Sequence, residues 1–432
     1  MERKINSILF IIFLSLGNLV LADDAVMKNW EFHGWGFYRF ENKKEADYNS
    51  STFDKRQSSL TRIDVSAKAD LAENYGYVYF APQFSKLSGQ DEIFLTSTTP
   101  AASSQQTSGS IYSPNLNVHE AYFAVHPTQE KELTFFLGRQ ELNYGDQLIM
   151  GAVPWSRFGR SFDALKIRYL YYEKMTLDLF TAKLQDNNYL GVSSGPKPDD
   201  SNLHGIYASS NLGVYLKNMD LYFLRKNGNT SSANLFLNTS ALGFRAKSAV
   251  GETSLDYRAE YTFENTVLIA GAEESKSQHQ FDIEVGYTHS FHNSRLALEY
   301  FESSKNFDQL FPTGHKFLGY ADQFSRRNIK GYVVHFSTLV IDKLSILLDY
   351  HFFYRYDGNT PAYNFAGNSL GTLGSNNNIA TEFDVTTVYN FTSNLQASVG
   401  YAIVDPKSYI EDQVAGNTKN TEFSYFQLLA KF

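Results

Sequence analysis

The sequence predicts an all-β protein: a transmembrane, antiparallel, up-and-down β-barrel of about 18 strands, with long extracellular loops and short periplasmic turns. Three observations predict it. Apolar and polar residues alternate with period two along most of the chain. The connections between these segments alternate long and short. The composition joins 35 Phe, 29 Tyr and 3 Trp to a mean hydropathy of −0.34 and no cysteine. Such a chain is too polar for a bundle of membrane helices, each of which needs roughly 20 consecutive apolar residues, and too aromatic to stay disordered.

Taken in order, the first element is a leader. Arg3 and Lys4 precede a largely apolar run from Ile5 to Leu21, and Val20-Leu21-Ala22 places small or short side chains before a cleavage point. This reads as a secretory signal peptide over residues 1–22, cut after Ala22, leaving 23–432 as an outer-membrane barrel. The run is short and broken by Asn6, Gly17 and Asn18, which disfavours an N-terminal anchor. Removal of Glu2, Arg3 and Lys4 takes the net charge from −8 to −9. Export without cysteine fits a Gram-negative outer membrane.

Strands follow, centred near Phe37, Val65, Tyr79, Tyr122, Phe136, Ile167, Leu179, Ala208, Tyr222, Phe244, Tyr257, Val285, Leu298, Val334, Leu348, Val385, Val399 and Phe426. The clearest sets Leu344, Ile346, Leu348, Tyr350, Phe352 and Tyr354 against Ser345, Asp349 and His351. In a soluble sandwich the apolar face is a core; in a membrane barrel it meets lipid. The connections favour the barrel. Long ones at 42–58, 87–115, 141–161, 185–202, 306–328, 357–378 and 406–421 alternate with short ones at Glu73-Asn74, 127–131, Glu173-Lys174, Lys217-Asn218, His292-Asn293, 341–343 and 392–394. A sandwich has no reason to keep such an asymmetry. Aromatics near strand ends, including Tyr169, Tyr171, Tyr172, Tyr300, Phe301, Tyr389 and Phe391, suit interfacial girdles. Phe432 ends the last strand in phase with Phe426, Leu428 and Ala430, a closing signal for the outer-membrane assembly machinery.

Several function classes fall away. Zero cysteine removes disulfides, thiolate metal sites and Cys nucleophiles. The acidic balance argues against non-specific nucleic-acid binding, which needs a basic surface. The closest His pair, His289 and His292, lies at a turn without further ligands, and no glycine cluster has phosphate-loop spacing. Neither a cofactor nor a metal is therefore expected, and no enzymatic activity. A Ser-His-Asp set on the wall of a membrane hydrolase is a minor alternative.

Residues 135–168 read FFLGRQELNYGDQLIMGAVPWSRFGRSFDALKIR. The GRQ, YGD, W and GRSFDA elements in that order resemble the alginate-export family of outer-membrane barrels. Residues 307–328 (FDQLFPTGHKFLGYADQFSRRN) and 381–409 (TEFDVTTVYNFTSNLQASVGYAIVDPKSY) are similar to a loop and the closing hairpin of that family. The resemblance implies a porin-like, 18-stranded monomeric barrel with an arginine-rich lumen passing an acidic polysaccharide. It puts Arg139 and Arg168 at the family's lumenal arginines, and Arg160 in the GRSFDA form carried by relatives with other cargo.

With the apolar faces outward, alternation sends Arg62, Lys68, Lys166, Arg168, Arg245, Lys247 and Arg258 into the lumen on one arc. Asp282, Glu284, Glu299, Glu382 and Asp384 form an acidic arc on another. Charged walls set ion selectivity in pores, and opposite charges on neighbouring strands also pair with one another. Asp64, Asp70, Asp256 and Glu260 interrupt the basic arc, a departure from a uniformly electropositive pore. Arg139 shares the parity of Leu133, Phe135 and Leu137, so a bulge near Gly138 or a position at the rim is expected. Trp155, Arg157 and Arg160 lie in a long loop able to fold into the lumen as a constriction. The reading is an outer-membrane channel for passive passage of a hydrophilic solute, anionic ones included, or an acidic polysaccharide. Its surroundings would be outer-membrane lipid and lipopolysaccharide. The alternative is a closed barrel acting as an adhesin through its long loops.

Overall fold

The structure, a computed structural model, describes residues 27–52, 54–71, 75–93, 115–127, 131–172, 174–185, 201–213, 215–227, 236–268, 275–372, 374–414 and 416–432. The expected signal peptide lies outside the described residues, as do the turn at Glu73-Asn74 and the loops 94–114 and 186–200.

Eighteen strands are found among the described residues. They are β1 (Met27–Lys44), β2 (Asp54–Leu71), β3 (Gly76–Ile93), β4 (Asn115–Val125), β5 (Leu133–Gln140) and β6 (Phe162–Tyr171). Then come β7 (Met175–Gln185), β8 (Ser201–Ser210), β9 (Asn218–Asn227), β10 (Phe236–Ala249), β11 (Leu255–Leu268) and β12 (Ser275–His289). The last are β13 (Ser294–Ser303), β14 (Ile329–Ile341), β15 (Leu344–Arg355), β16 (Asn378–Asn390), β17 (Leu395–Pro406) and β18 (Thr421–Lys431). Each pairs antiparallel with the next, and β18 pairs with β1, so the sheet closes and leaves no open edge to lipid. Reciprocal bonds between Gly34 and Phe432 (2.7 and 2.8 Å) seal the seam at the chain's last residue. Every expected strand centre falls inside a strand.

The pattern of exposure is inverted relative to a soluble protein. Leu137 and Leu298 are 60% and 62% exposed on the outer face, while Arg355, Asp282 and Glu382 are fully buried on the inner one. Only a hydrocarbon solvent makes that arrangement favourable, because apolar groups then face lipid and charges face one another.

The aromatics divide differently from the expectation. Tyr169, Tyr171, Tyr172 and Phe391 are exposed at the short-turn end, as a girdle requires. Phe301, in contrast, is buried inside, with Phe180, Tyr207, Tyr222, Phe353, Phe423 and Tyr425. The physical reason is that two long loops fold into the lumen and need apolar wall to pack on. One core gathers Phe317, Leu318 and Phe324 of loop 304–328 against Phe301, Val333, Phe353 and Tyr425. The other gathers Leu142, Ile149 and Met150 of loop 141–161 against Phe180, Leu203, Tyr207 and Tyr222. A short helix α1 (Ser408–Val414) in the last long loop sets Tyr409 against Arg355, with 4.5 Å from guanidinium carbon to ring centre.

Candidate functional site

Loop 141–161 leaves the ring between β5 and β6, and loop 304–328 leaves it between β13 and β14, on nearly opposite walls. They meet inside as a crossbar. Gly151 N donates to Phe311 O (2.8 Å), Phe311 N to Ile149 O (2.9 Å) and Thr313 N to Gln147 O (2.9 Å). This ladder needs Gly151: a Cβ there would stand 2.2 Å from Thr313 Oγ1. Arg160 fixes the junction, its Nη1 donating to the carbonyls of Gly151 (3.1 Å), Pro312 (3.0 Å) and Phe311. Among the described residues its surroundings supply carbonyls and no carboxylate, and burial pushes its pKa down to about 10, so it remains a cation at neutral pH. The loop that carries Trp155 and Arg160 thus folds inside the barrel and is met there by a second loop.

Most charges of the two arcs hold this crossbar. Arg62 is buried, pairs with Asp64 (2.8 Å) and donates to Pro154 O and Ser156 O (3.2 and 3.0 Å). Arg245 clasps Asp146 of the loop (2.7 Å) and Asp220 of the wall (2.8 Å). Burial raises the Asp146 carboxyl, but Arg245 and Lys247 outweigh it and hold its pKa below the ordinary range. On the acidic arc, Glu382 accepts from Ala321 N (2.8 Å), Asp384 from Tyr320 N (3.2 Å), and Asp282 pairs with Arg326, all partners in loop 304–328. Arg258 crosses between the arcs to Asp282 (2.7 Å), Glu284 (3.2 Å) and Glu299 (2.8 Å). Trp155 is sandwiched between Arg39, 3.6 Å from its ring centre, and His315, stacked at 4.1 Å. Arg157 donates to Ser85 Oγ (3.3 Å).

A second set of basic groups lies towards the short-turn end, and of it Lys247 alone among the described residues bonds to the crossbar, at Asp146. Arg168 donates twice to buried Asp178 (2.7 Å each), yet its side chain is 40% exposed to the lumen. Lys247 reaches Asp146 (3.1 Å) and is 48% exposed. Lys68 pairs with Glu31 (3.3 Å) and Asp70 (3.6 Å). Lys166 lies 4.4 Å from the Phe136 ring centre, with no ion pair among the described residues. Between Lys68 and Lys166 runs a row of inward rings: Tyr77 (5.2 Å from Lys68), Tyr122 (6.2 Å from Tyr77), and Phe136 (5.9 Å from Tyr122), with Tyr79 stacked on Tyr122 at 5.1 Å. Beside it a cavity of about 500 Å³ is lined by Trp35, Asp64, Tyr79, His119, Glu120 and Glu141 among others.

Of the two expectations for Arg139, the rim position holds and the bulge with its lumenal side chain does not. The register of β5 runs unbroken through Gly138 against both β4 and β6, so no bulge turns Arg139 inward. It stays on the outer face at the loop end of the strand, bonded to Val118 O (3.0 Å) and Asp163 (3.3 Å). The bulge lies on the neighbouring strand, where β4 slips past β3 between Glu120 and Val118. Sequence reasoning also missed Arg39, Asp146, Asp178, Asp220 and Arg326. Arg39 was within reach, since it alternates with Tyr38 and Phe40. Asp146 and Arg326 were not, because a loop has no period to show which way a side chain points.

No curated protein matches the sequence. Among solved structures the chain is similar to OccAB4 of Acinetobacter baumannii (12% identity, TM-score 0.63, covering 94% of this chain and 99% of that one). It is similar also to OccK5 (OpdH) of Pseudomonas aeruginosa (9%, 0.60, 94% and 98%) and to OprD of the same organism (10%, 0.61, 94% and 95%). At these identities the likeness is one of fold. The family model described as alginate export matches residues 39–421. With its closed 18-stranded wall and its two inward loops, the chain belongs to the alginate-export family of outer-membrane channels.

Proposed function

We propose that the protein passes a hydrophilic, anionic solute, saccharides included, by passive diffusion along the wall formed by β2 to β7. The observation that carries this reading is the row of half-buried rings Tyr77, Tyr79 and Tyr122 between Lys68 and the 40% exposed Arg168, with Phe136 and Lys166 buried at its end. Aromatic faces accept the apolar faces of sugar rings, and neighbouring cations attract carboxylates. Arg62, Arg245, Arg258, Asp282, Glu284, Glu299, Glu382 and Asp384 would shape the opening by holding the crossbar rather than by meeting the solute. Arg139, on the outer face, would meet lipopolysaccharide.

Reconstitution in planar bilayers tests this. Conductance steps with a reversal potential favouring chloride over potassium are expected, with block by uronate oligomers. Cation preference would overturn the anionic reading. Absence of any steps, together with surface binding lost on deletion of the long loops, would favour an adhesin.

A further inference from the structure

The inner wall from β12 to β16 carries an unbroken row of carboxylates and imidazoles, and its counter-charges divide it in two. Glu284 and Glu299 are held by Arg258, and Glu284 also by Arg295 (2.5 Å), so guanidinium N–H groups already occupy them and would repel a cation. Beyond them lie Asp349, His351, Glu382 and Asp384. Among the described residues no Lys or Arg stands within ion-pair distance of these four; their only ionic contacts are with histidine.

Three features make this second group different from an ordinary acidic patch. First, the β15–β16 register sets Asp349 directly opposite Asp384, and His351 directly opposite Glu382. Like charges facing each other across strands are destabilising unless something neutral or positive comes between them. Second, one ligand atom each from Asp349, His351 and Asp384 lies within 4.8 Å of the other two, the spread a single ion can bridge. Third, His351 is 4% exposed and Asp384 1%, yet His351 Nδ1 has no hydrogen-bond partner, and the Asp384 and Glu382 carboxyls lie within hydrogen-bond reach of each other, a contact between two acids that needs a shared proton or a cation. Buried polar atoms are rarely left without a partner. His335 does not fill the gap. It contacts Asp349 Oδ1 through Nδ1 (2.6 Å) and Glu299 Oε2 through Nε2 (3.2 Å), so both of its nitrogens are already used between the two halves.

We propose that Asp349, His351 and Asp384 bind a divalent transition-metal cation of the zinc class, with Glu382 as the neighbouring counter-charge. Two carboxylates and an imidazole suit such borderline ions, whereas Ca²⁺ and Mg²⁺ favour oxygen ligands alone. Asp349, whose side chain is 21% exposed, gives the ion a path from the lumen. The ion joins β15 to β16. Through Asp384 and Glu382, which accept from Tyr320 N and Ala321 N, it also steadies loop 304–328. The ligands come from two strands some 35 residues apart in sequence, so no short spacing announces them.

The test uses the full chain purified in detergent and stripped with a chelator. Zn²⁺ is titrated in competition with a chromophoric chelator, with Ca²⁺ and Mg²⁺ run in parallel, and crystals grown with Zn²⁺ are measured at the zinc edge. One strongly bound Zn²⁺ per chain is expected, at least tenfold weaker in Asp384→Asn and in His351→Gln, with the anomalous peak between β15 and β16. Heat-modifiable gel mobility checks that each variant is folded, and Asp349→Asn replaces any that is not. Absence of Zn²⁺ binding, undiminished binding in the folded variants, or a peak elsewhere would overturn the site. Equal binding of Ca²⁺ would overturn its assignment to a transition metal. None of these readings depends on transport.

Discussion

Arg168 illustrates how one side chain can serve two ends. Its two bonds to Asp178 keep a buried carboxylate satisfied, while its exposed edge faces the lumen. Arg168→Ala is expected to lower anion preference and also to cost roughly 1–3 kcal/mol, because among the described residues Asp178 then keeps only the Tyr144 hydroxyl. Adding Asp178→Asn is expected to restore most of the stability but none of the selectivity. Urea unfolding and reversal potentials separate the two effects. Arg160 is the contrasting case, a cation whose hydrogen bonds among the described residues all go to carbonyls. Arg160→Met removes their donor, and about 1–3 kcal/mol of loss is expected, together with noisier open-channel current. At this scale parity along the chain puts Arg62, Lys166, Arg168, Arg245 and Arg258 on the face opposite the exposed apolar residues, where Arg62, Lys166, Arg245 and Arg258 are buried. It could not say that Arg62 and Arg245 would be taken up by a loop, since their partners come from segments without periodicity.

At the scale of elements, the crossbar depends on close backbone approach and on one ionic latch. Gly151→Val is expected to part Ile149–Gly151 from Phe311–Thr313, raising single-channel conductance while leaving the strands intact by circular dichroism. The latch is Asp146, held below the usual aspartate range by Arg245 and Lys247 against the effect of burial. A carboxyl with a depressed folded pKa gives stability that is fully present above its unfolded value, near 3.9, and is lost as pH falls through the folded one. Conductance is therefore expected to rise below about pH 4, and Asp146→Asn to show the larger conductance already at neutral pH. A conductance independent of pH between 7 and 3 would count against the latch. The loop was legible as a long insertion carrying Trp155 and Arg160. Its pairing with loop 304–328 was not, since that contact joins residues some 160 positions apart with no strand register to link them.

For the whole molecule, strand number, order and facing were legible because lipid on one side and water on the other enforce strict alternation. Where the wall does not face plain water, the rule weakens: Phe301 and Phe353 point inward because loop 304–328 brings its own apolar core. The lipid face can be probed directly. Leu298→Arg, near the middle of β13, is expected to cost about 2–4 kcal/mol in reversible folding into liposomes. The same change at Lys330, on the outer face near the loop end, should cost almost nothing.

The pairing of Ile149–Gly151 with Phe311–Thr313 also has a mechanical side. A hoop of 18 strands is broad for the thickness of its wall, and lateral pressure in a bilayer would tend to flatten it into an ellipse. A strut along one diameter forbids squeezing in that direction, because close-packed protein is nearly incompressible. The cross-section is left stiff along the line from β5 to β13 and more yielding at right angles to it. Any breathing that admits a bulky solute should occur along that second axis.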